Sequence, residues 1–191
     1  MRTWTYSSHD DYVEKQCVRW NAKRDGFSNS VFYAEHVIDL PRPSPKTILC
    51  NGVRNDHEIN AFVDLFPKCS VVGTDIATSS ELIRQCDFSS LPDDLVNFGA
   101  IYSNSLDHAI DARATLAHWS SRLAPAGWLC VVVPTVGDPT CWDPTMFSPG
   151  DIASMLPTAG LRLLRSFMWD PRGAEHASDL EVTHAVKTTA T

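Results

Sequence analysis

Short apolar runs alternate with helix-like patterns over most of the chain. Seven of these runs have the length and composition of strands, near residues 47–50, 70–74, 82–86, 100–103, 128–134, 161–169 and 180–187. Between the first two runs, Ile59, Phe62 and Phe66 recur at helical spacing, and Leu116 and Trp119 do so ahead of the fifth. This alternation predicts a parallel sheet covered by helices. The short connection between the last two runs predicts an antiparallel hairpin.

The start of the chain has a different pattern from the rest. Charged and aromatic residues are frequent there, with a helix predicted over 10–24 and a less regular stretch over 27–33. The segment Pro41-Arg-Pro-Ser-Pro45 predicts a stiff linker, because each proline fixes its own backbone angle and biases its predecessor away from helix. We therefore predict an N-terminal extension over 1–45 and a main domain over 46–191.

One further helix is predicted after the fifth strand. Ser148-Pro-Gly-Asp151 has a capping serine, a proline at the first helical position and an acid three residues after the serine. We expect this helix to run to about Thr158 and to stop at Gly160.

Composition and charge narrow the class of protein. The chain has 191 residues, a hydrophobic content of 43% and a formal charge of −7, which disfavours non-specific binding to nucleic acid or anionic membrane. No apolar run approaches the about 20 residues that span a bilayer, and the polar start lacks the apolar segment of a signal peptide, so we expect a cytoplasmic protein. The 6 cysteines have no CxxC pair and no zinc-like spacing; we expect buried thiols and no metal site.

Polar residues follow four of the predicted strands, where a doubly wound sheet binds its ligands. The first loop has a glycine that allows close approach of a ligand, and the second begins with an acid about 20 residues later, the offset at which an acid can bind ribose hydroxyls. The third pairs an acid with an aromatic ring. Each acid alone is also a common turn former or helix cap. The candidate residues are Asn51, Gly52, Arg54, Asn55, Asp75, Ile76, Asp87, Phe88, Ser103, Asn104 and Ser105.

Residues 47–167 resemble a class I S-adenosylmethionine-dependent methyltransferase. The resemblance rests on the glycine loop, on Val-Val-Gly-Thr-Asp75, on Cys-Asp87-Phe, on the strand end at 103–105 and on Leu123-Ala-Pro-Ala-Gly-Trp-Leu-Cys-Val-Val-Val133. The Gly-Val-Arg-Asn loop is most similar to a poorly characterised subgroup with a Gly-x-Arg-Asn loop. The resemblance implies an α/β fold with a doubly wound, Rossmann-like sheet of seven strands, mostly parallel with an antiparallel C-terminal hairpin, and helices on both faces. It also implies S-adenosylmethionine as the cofactor, bound by the strand-end residues.

Two positions depart from the family pattern. The acid that commonly ends the first strand is Cys50 here, and the usual second and third glycines of the loop are Arg54 and Asn55. A thiol cannot replace the charge of the acid. Arg54 can instead bind the carboxylate of the cofactor's methionine arm, hold an anionic substrate, or cap a helix or pair with Glu58.

The cofactor supplies the activated methyl group, so catalysis depends mainly on alignment. A general base is needed only for a protonated acceptor, and the candidates are Asp107 and His108; His108 can equally be a capping or packing residue. The long connection over 134–147, the segment 168–179 with Trp169, Arg172 and His176, and the N-terminal aromatics are candidates for a roof over a small pocket or for a protein interface. The aromatics are Trp4, Tyr6, Tyr12 and Trp20.

We therefore expect a methyltransferase that acts on a small or medium-sized acceptor. One alternative is a catalytically silent methyltransferase-like module that binds or regulates, which Cys50 and the glycine-poor loop favour. A second is an RNA cap or end methyltransferase, against which the acidic charge and the absence of a lysine-rich acceptor site weigh. A dehydrogenase is disfavoured because the Gly-x-Gly-x-x-Gly loop is absent.

Overall fold

A computed structural model describes residues 1–23, 44–169 and 180–188 of the chain. The predicted stretch 27–33, most of the proline-rich linker, Arg172, His176 and the last three residues lie outside the described residues. The helices are α1 His9–Lys23, α2 His57–Leu65, α3 Ala112–Arg122 and α4 Asp151–Met155. The strands are β1 Arg2–Thr3, β2 Thr47–Asn51, β3 Ser70–Asp75, β4 Ile83–Gln85, β5 Phe98–Ser103, β6 Leu123–Pro134, β7 Thr145–Met146, β8 Leu161–Trp169 and β9 Leu180–Lys187. None of the described helices is long and apolar enough to cross a bilayer.

The main sheet has seven strands in the order β4-β3-β2-β5-β6-β9-β8. The five strands from β4 to β6 are parallel, while β9 runs antiparallel to both β6 and β8. The predicted α/β fold, the seven strands and the C-terminal hairpin are therefore confirmed. The strand order reverses between β2 and β5, which makes the carboxyl ends of these two strands the expected place for a ligand.

Successive residues of the central strands point to opposite faces of the sheet, as the period of a strand requires. Leu49 and Ile101 belong to the core cluster that packs against α3 and α4, while Ile48 and Tyr102 belong to the cluster that packs against α2. Both faces are therefore covered by helices. This double burial explains why the strands appear in the sequence as continuous apolar runs.

One predicted boundary is wrong. The helix after Phe147 begins at Asp151, not at Pro149; its α-helical part ends at Met155, a 3₁₀ turn follows over Pro157–Ala159, and the left-handed Gly160 ends it as predicted. Gly150 is the N-cap residue and makes no side-chain cap; Asp151 instead accepts a hydrogen bond from the backbone N–H of Ser148 at 2.7 Å. Residues 148–150 therefore form a loop that Asp151 closes. The left-handed φ of 84° at Gly150 prevents the helix from starting earlier.

The N-terminal segment contacts the long connection after β6 at several points. β1 pairs with β7 antiparallel, and Tyr6 donates a hydrogen bond from its hydroxyl to the carbonyl of Cys141 at 2.8 Å. Within α1, Gln16 donates to the carbonyl of Trp142 at 3.0 Å. The segment is thus tied to the loop over 135–147. The division of the chain at residue 45 stays a prediction.

Candidate functional site

The first loop leaves β2 through a tight turn at Gly52. Its N–H donates to the carbonyl of Thr74 at 2.8 Å, and its φ of 75° lies in the left-handed region that favours glycine. A side chain at this position would also have no room, because an added Cβ would lie 2.5 Å from Cβ of Ser105. The glycine is therefore required by both the turn and the strand end beside it.

A cavity opens at this edge of the sheet, beyond the carboxyl ends of β2 and β3. It contains about 450 Å³ of empty space, including the part open to solvent. We call it the edge cavity, and its lining residues are Tyr12, Gln16, Arg19, Trp20, Gly52, Arg54, Asp75, Ile76, Asp87, Phe88 and His108. Seven of the thirteen residues proposed from the sequence as cofactor or catalytic residues are in this lining: Gly52, Arg54, Asp75, Ile76, Asp87, Phe88 and His108.

The other six proposed residues lie next to the edge cavity without lining it, and three of them hold its wall together. Asn51 accepts a hydrogen bond from the Thr74 hydroxyl at 2.8 Å, and Ser103 donates from its hydroxyl to the carbonyl of Asn51 at 2.9 Å. Ser105 donates to the carbonyl of Gly52 at 3.1 Å. These bonds join the ends of β2, β3 and β5. The remaining residues are Asn55, which accepts from the His57 N–H, Asn104, which donates to Glu58, and the buried Asp107.

Both strand-end acids combine a turn-forming role with a place in the edge cavity. Asp75 accepts a hydrogen bond from the N–H of Ala77 at 3.1 Å, and Asp87 caps the following 3₁₀ turn by accepting from the N–H of Ser89 at 2.7 Å. Burial raises the pKa of Asp75, an effect opposed by the Ala77 hydrogen bond and by the charges of His108 and Arg54. A partly buried carboxylate is stabilised by each further hydrogen-bond donor that a ligand brings. The edge cavity therefore offers two acids to hydroxyl or amine groups of a ligand.

Phe88 gives the edge cavity a fixed aromatic wall. Its ring packs edge-on against Trp119 of α3, with ring centroids 5.7 Å apart, and the indole N–H of Trp119 donates to the carbonyl of Phe88 at 2.8 Å. Because two contacts hold the residue, its ring is ordered before any ligand arrives. An ordered aromatic face next to an acid suits a planar heterocycle with an amino group.

Arg54 places a cation inside the edge cavity. Burial and the nearby Arg19 lower its pKa, against the opposing charges of Asp75 and Glu58. Its guanidinium makes no ion pair with any described residue, and the predicted alternative of a pair with Glu58 is not formed; Glu58 accepts from Asn104 at 2.9 Å instead. Within the described ranges, the hydrogen bond of Arg54 is the one that its backbone carbonyl accepts from the indole N–H of Trp20 at 3.2 Å. A half-buried guanidinium of this kind favours a bound anion.

Helix α1 forms the roof of the edge cavity. Tyr12 and Trp20 are 2% and 9% exposed, although both stand on a helix with little hydrophobic periodicity. Gln16 and Arg19 complete the inner face of the helix. The aromatic residues of the sequence predicted a roof, but Gln16 and Arg19 were not predicted to belong to it. Polar residues on a charged helix do not indicate which face of the helix will contact the sheet.

His108 lies in a 3₁₀ turn after β5, between two carboxylates. Its Nε2 is 3.1 Å from Oδ1 of Asp143 and 3.8 Å from Oδ2 of Asp107. Asp143 also pairs with Arg19 of α1. Asp143 was not among the residues predicted from the sequence, since it lies in the middle of the long loop, far from any strand end.

Neither a protein-family model nor the sequence of a curated protein matches the chain. Solved structures do match the fold of the chain. The 1,6-didemethyltoxoflavin-N1-methyltransferase of Burkholderia thailandensis, solved with 1,6-didemethyltoxoflavin and S-adenosylhomocysteine, aligns over 97% of this chain and 93% of its own with a TM-score of 0.76 at 18% identity. The chain has the class I methyltransferase fold. The more specific likeness to a subgroup with a Gly-x-Arg-Asn loop stays a prediction.

Two further neighbours show how widely this fold is used. A geranyl diphosphate methyltransferase bound to S-adenosylmethionine aligns over 83% of this chain and 85% of its own, with a TM-score of 0.66 at 14% identity. The [4+2]-cyclase SpnF aligns over 84% and 81%, with a TM-score of 0.67 at 13% identity. Because one neighbour is named for a cyclisation and not for methyl transfer, function must be argued from the residues of the site.

Proposed function

We propose that this protein is an S-adenosylmethionine-dependent methyltransferase that acts on a small or medium-sized acceptor, in the cytoplasm. The observation that carries the proposal is the edge cavity at the point where the strand order reverses. There a glycine turn, two acids, an ordered aromatic ring and a guanidinium that forms no ion pair with the described part of the chain meet in one place. Each of these groups matches a different part of the cofactor.

The lining residues fit the cofactor group by group. Asp75 is proposed to accept from the ribose hydroxyls, and Asp87 with Phe88 to hold the adenine amino group and ring. Gly52 allows the ligand to approach the backbone closely. Arg54 is proposed to bind the methionine carboxylate through its planar pair of N–H groups.

Cys50 does not take part in this arrangement. It is fully buried in the cluster between the sheet and α2, and burial raises the pKa of its thiol well above the usual value. The cation at Arg54 is therefore the group proposed to compensate for the missing acid at the end of β2. It would hold the carboxylate of the methionine arm, where the missing acid would have held the amino group.

S-Adenosylmethionine, when bound, supplies an activated methyl group. The protein's part is to hold the acceptor in line with that group and to keep water out, which α1 does by covering the edge cavity. Of the two proposed catalytic residues, His108 lines the edge cavity, whereas Asp107 is buried behind it. The roof formed by α1 over the edge cavity favours a small molecule or a protruding group as the acceptor.

Isothermal titration calorimetry with S-adenosylhomocysteine tests the proposal. We expect binding by the wild-type protein and a loss of about 10- to 100-fold in affinity for Asp75→Ala, the size expected for hydrogen bonds to a charged group. Asp64→Ala is the matched control. Asp64 is an exposed acid on α2, so its substitution removes the same charge at a place away from the edge cavity. Absence of binding to the wild type at high micromolar ligand would refute the cofactor assignment.

One observation favours a second candidate, a module that binds the cofactor without turnover. The residue at the end of β2 is a buried thiol instead of an acid, so one usual cofactor contact is missing. In that case S-adenosylhomocysteine binds with the predicted dependence on Asp75, but radiolabelled methyl groups are transferred to no member of an acceptor panel. Transfer to any member decides for the enzyme.

A further inference from the structure

His108, Asp143 and Arg19 form a chain of contacts that joins the catalytic edge of the sheet to the roof. Nε2 of His108 lies 3.1 Å from Oδ1 of Asp143, and the guanidinium of Arg19 bonds to the same oxygen. The three residues stand on three separate elements: the turn after β5, the loop between β6 and β7, and α1. The contact of Arg19 with Asp143 is therefore made only when α1 covers the edge cavity.

The two acids around His108 differ in their surroundings. Burial acts to raise the pKa of Asp143, but the hydrogen bond and charge of His108, together with the charge and hydrogen bond of Arg19, outweigh it and hold that pKa well below the usual range. Burial raises the pKa of Asp107, and Oδ1 of Asp107 has no hydrogen-bond partner among the described residues. Asp143 is thus a stable anion next to the imidazole. It is the natural acceptor for an imidazole N–H.

The 3.1 Å contact between Nε2 and Asp143 favours one tautomer of a neutral His108. If Nε2 carries the proton and donates it to Asp143, Nδ1 is left with a free lone pair. Nδ1 makes no hydrogen bond with any residue that the structure describes, and the His108 side chain lines the edge cavity. The unprotonated nitrogen is therefore the one available to a bound acceptor.

Resting on the methyltransferase function proposed above, we propose that His108 is the general base of the reaction, that Asp143 holds its ring in the reactive tautomer, and that the acceptor is therefore a compound whose nucleophilic oxygen or nitrogen carries a proton. Phenols, enols and N–H heterocycles belong to this class. Thiolates and neutral amines do not need such a base before the methyl group moves.

The step balances without a further reactant. The acceptor O–H or N–H bond breaks and its proton goes to Nδ1 of His108, while the acceptor atom forms a bond to the methyl carbon. The carbon–sulfur bond of the cofactor breaks, and its electron pair stays on sulfur, which becomes a neutral thioether. The imidazolium that results is stabilised by Asp143, with Asp107 and Asp75 also nearby. Arg19 keeps Asp143 in place.

A metal site is the alternative interpretation of this cluster. Asp107, His108 and Asp143 each offer a ligand atom, and these atoms lie within 4.8 Å of one another. Arg19 argues against this. Its guanidinium bonds to Oδ1 of Asp143, the oxygen that also contacts His108, and it places a positive charge beside the cluster. With a neutral His108, two acids and one arginine, the group carries one negative charge, which a proton taken from the acceptor neutralises, whereas a divalent cation would leave the group positive.

The tautomer of His108 can be measured without a known acceptor. Nitrogen NMR of the ¹⁵N-histidine-labelled protein, at a pH where His108 is neutral and with S-adenosylhomocysteine bound, reports which ring nitrogen carries the proton. We expect protonated Nε2 in the wild type and a mixture of tautomers in Asp143→Asn. Asp138→Asn is the matched control, because Asp138 is an exposed acid of the same loop. A wild type protonated at Nδ1, or an unchanged tautomer in Asp143→Asn, would overturn the proposal.

A second measurement tests the general base itself. With labelled S-adenosylmethionine and a panel of phenols, N–H heterocycles, thiols and amines, we expect transfer to the first two classes and a loss of about 10²- to 10⁴-fold in kcat for His108→Gln. Binding of S-adenosylhomocysteine should stay within about threefold of the wild type, since His108 serves the acceptor and not the cofactor. Full activity of His108→Gln, or one equivalent of metal in the purified protein, contradicts the inference. If the wild-type protein does not bind S-adenosylhomocysteine, the result contradicts the proposed function instead.

Discussion

Gly52→Ala is the substitution for which the structure gives the most detailed expectation. Gly52 has a φ of 75°, and a methyl group on its Cα would lie 2.5 Å from Cβ and 2.7 Å from Oγ of Ser105. The left-handed backbone costs a non-glycine residue about 1–2 kcal/mol. Overpacking adds about 1–3 kcal/mol, and the lower entropy of the unfolded alanine chain returns about 0.4–1 kcal/mol. We therefore expect a destabilisation of about 3 kcal/mol, a fall of roughly 6–12 °C in Tm for a domain of this size.

Gly150 provides a control with the same backbone but without the contact. Its φ is 84°, and no heavy atom lies within 4 Å of an added Cβ. Gly150→Ala should therefore cost only the backbone part, a net of about 1 kcal/mol. The difference between the two variants isolates the contact with Ser105.

Urea unfolding with linear extrapolation measures both free energies of unfolding, and calorimetry with S-adenosylhomocysteine measures the effect on the edge cavity. The double variant Gly52→Ala with Ser105→Gly should recover part of the loss, because the nearest remaining contact is Cε1 of Phe88 at 3.5 Å. The coupling energy of the double-mutant cycle reports the interaction between the two positions, which includes the clash and any change in the hydrogen bond from Ser105 to the Gly52 carbonyl. Equal destabilisation by Gly52→Ala and Gly150→Ala, with no coupling to Ser105, would refute the close approach of the two strand ends.

Two other predictions concern the charges of the site. Arg54→Gln should weaken the binding of S-adenosylhomocysteine by about 10- to 100-fold, as measured by calorimetry. The affinity for 5′-methylthioadenosine, which lacks the carboxylate, should stay within about twofold of the wild type. Equal losses of affinity for both ligands would exclude the carboxylate contact. The folded-state pKa of Asp143 is lowered, so its stabilisation is complete above the unfolded pKa of about 4 and is lost as the pH falls below it. Urea unfolding should therefore show the gap between wild type and Asp143→Ala shrinking from pH 5 to pH 3, and a constant gap would contradict the ion pair.

The sheet was predictable because its signals are local. Continuous apolar runs such as Trp128 to Val133 mark strands that are buried on both faces, and all seven strands are present within a few residues of their predicted positions. The helix near Asp151 was predicted with the wrong start, because the left-handed Gly150 interrupts a pattern of side chains that suits a cap. Backbone angles of this kind leave little trace in the residue types around them.

The candidate site was predictable only where it follows strand ends. Asp75 and Asp87 were found because parallel strands deliver their carboxyl ends to one edge of the sheet, and both acids line the edge cavity. Asp143 and Arg19 were missed. They are separated by 124 positions in the chain, and neither belongs to a motif with a fixed spacing.

By itself, the sequence determined the order of the elements, the covering of both sheet faces and the row of polar strand ends, since each of these follows from residue type and short-range periodicity. Only the tertiary structure decided that Arg54 forms no ion pair with the residues that the structure describes, that α1 closes the edge cavity and that Asp143 reaches His108. These are contacts between segments far apart in the chain. Their formation depends on how the helices and loops pack around the sheet, which no local pattern of residues specifies.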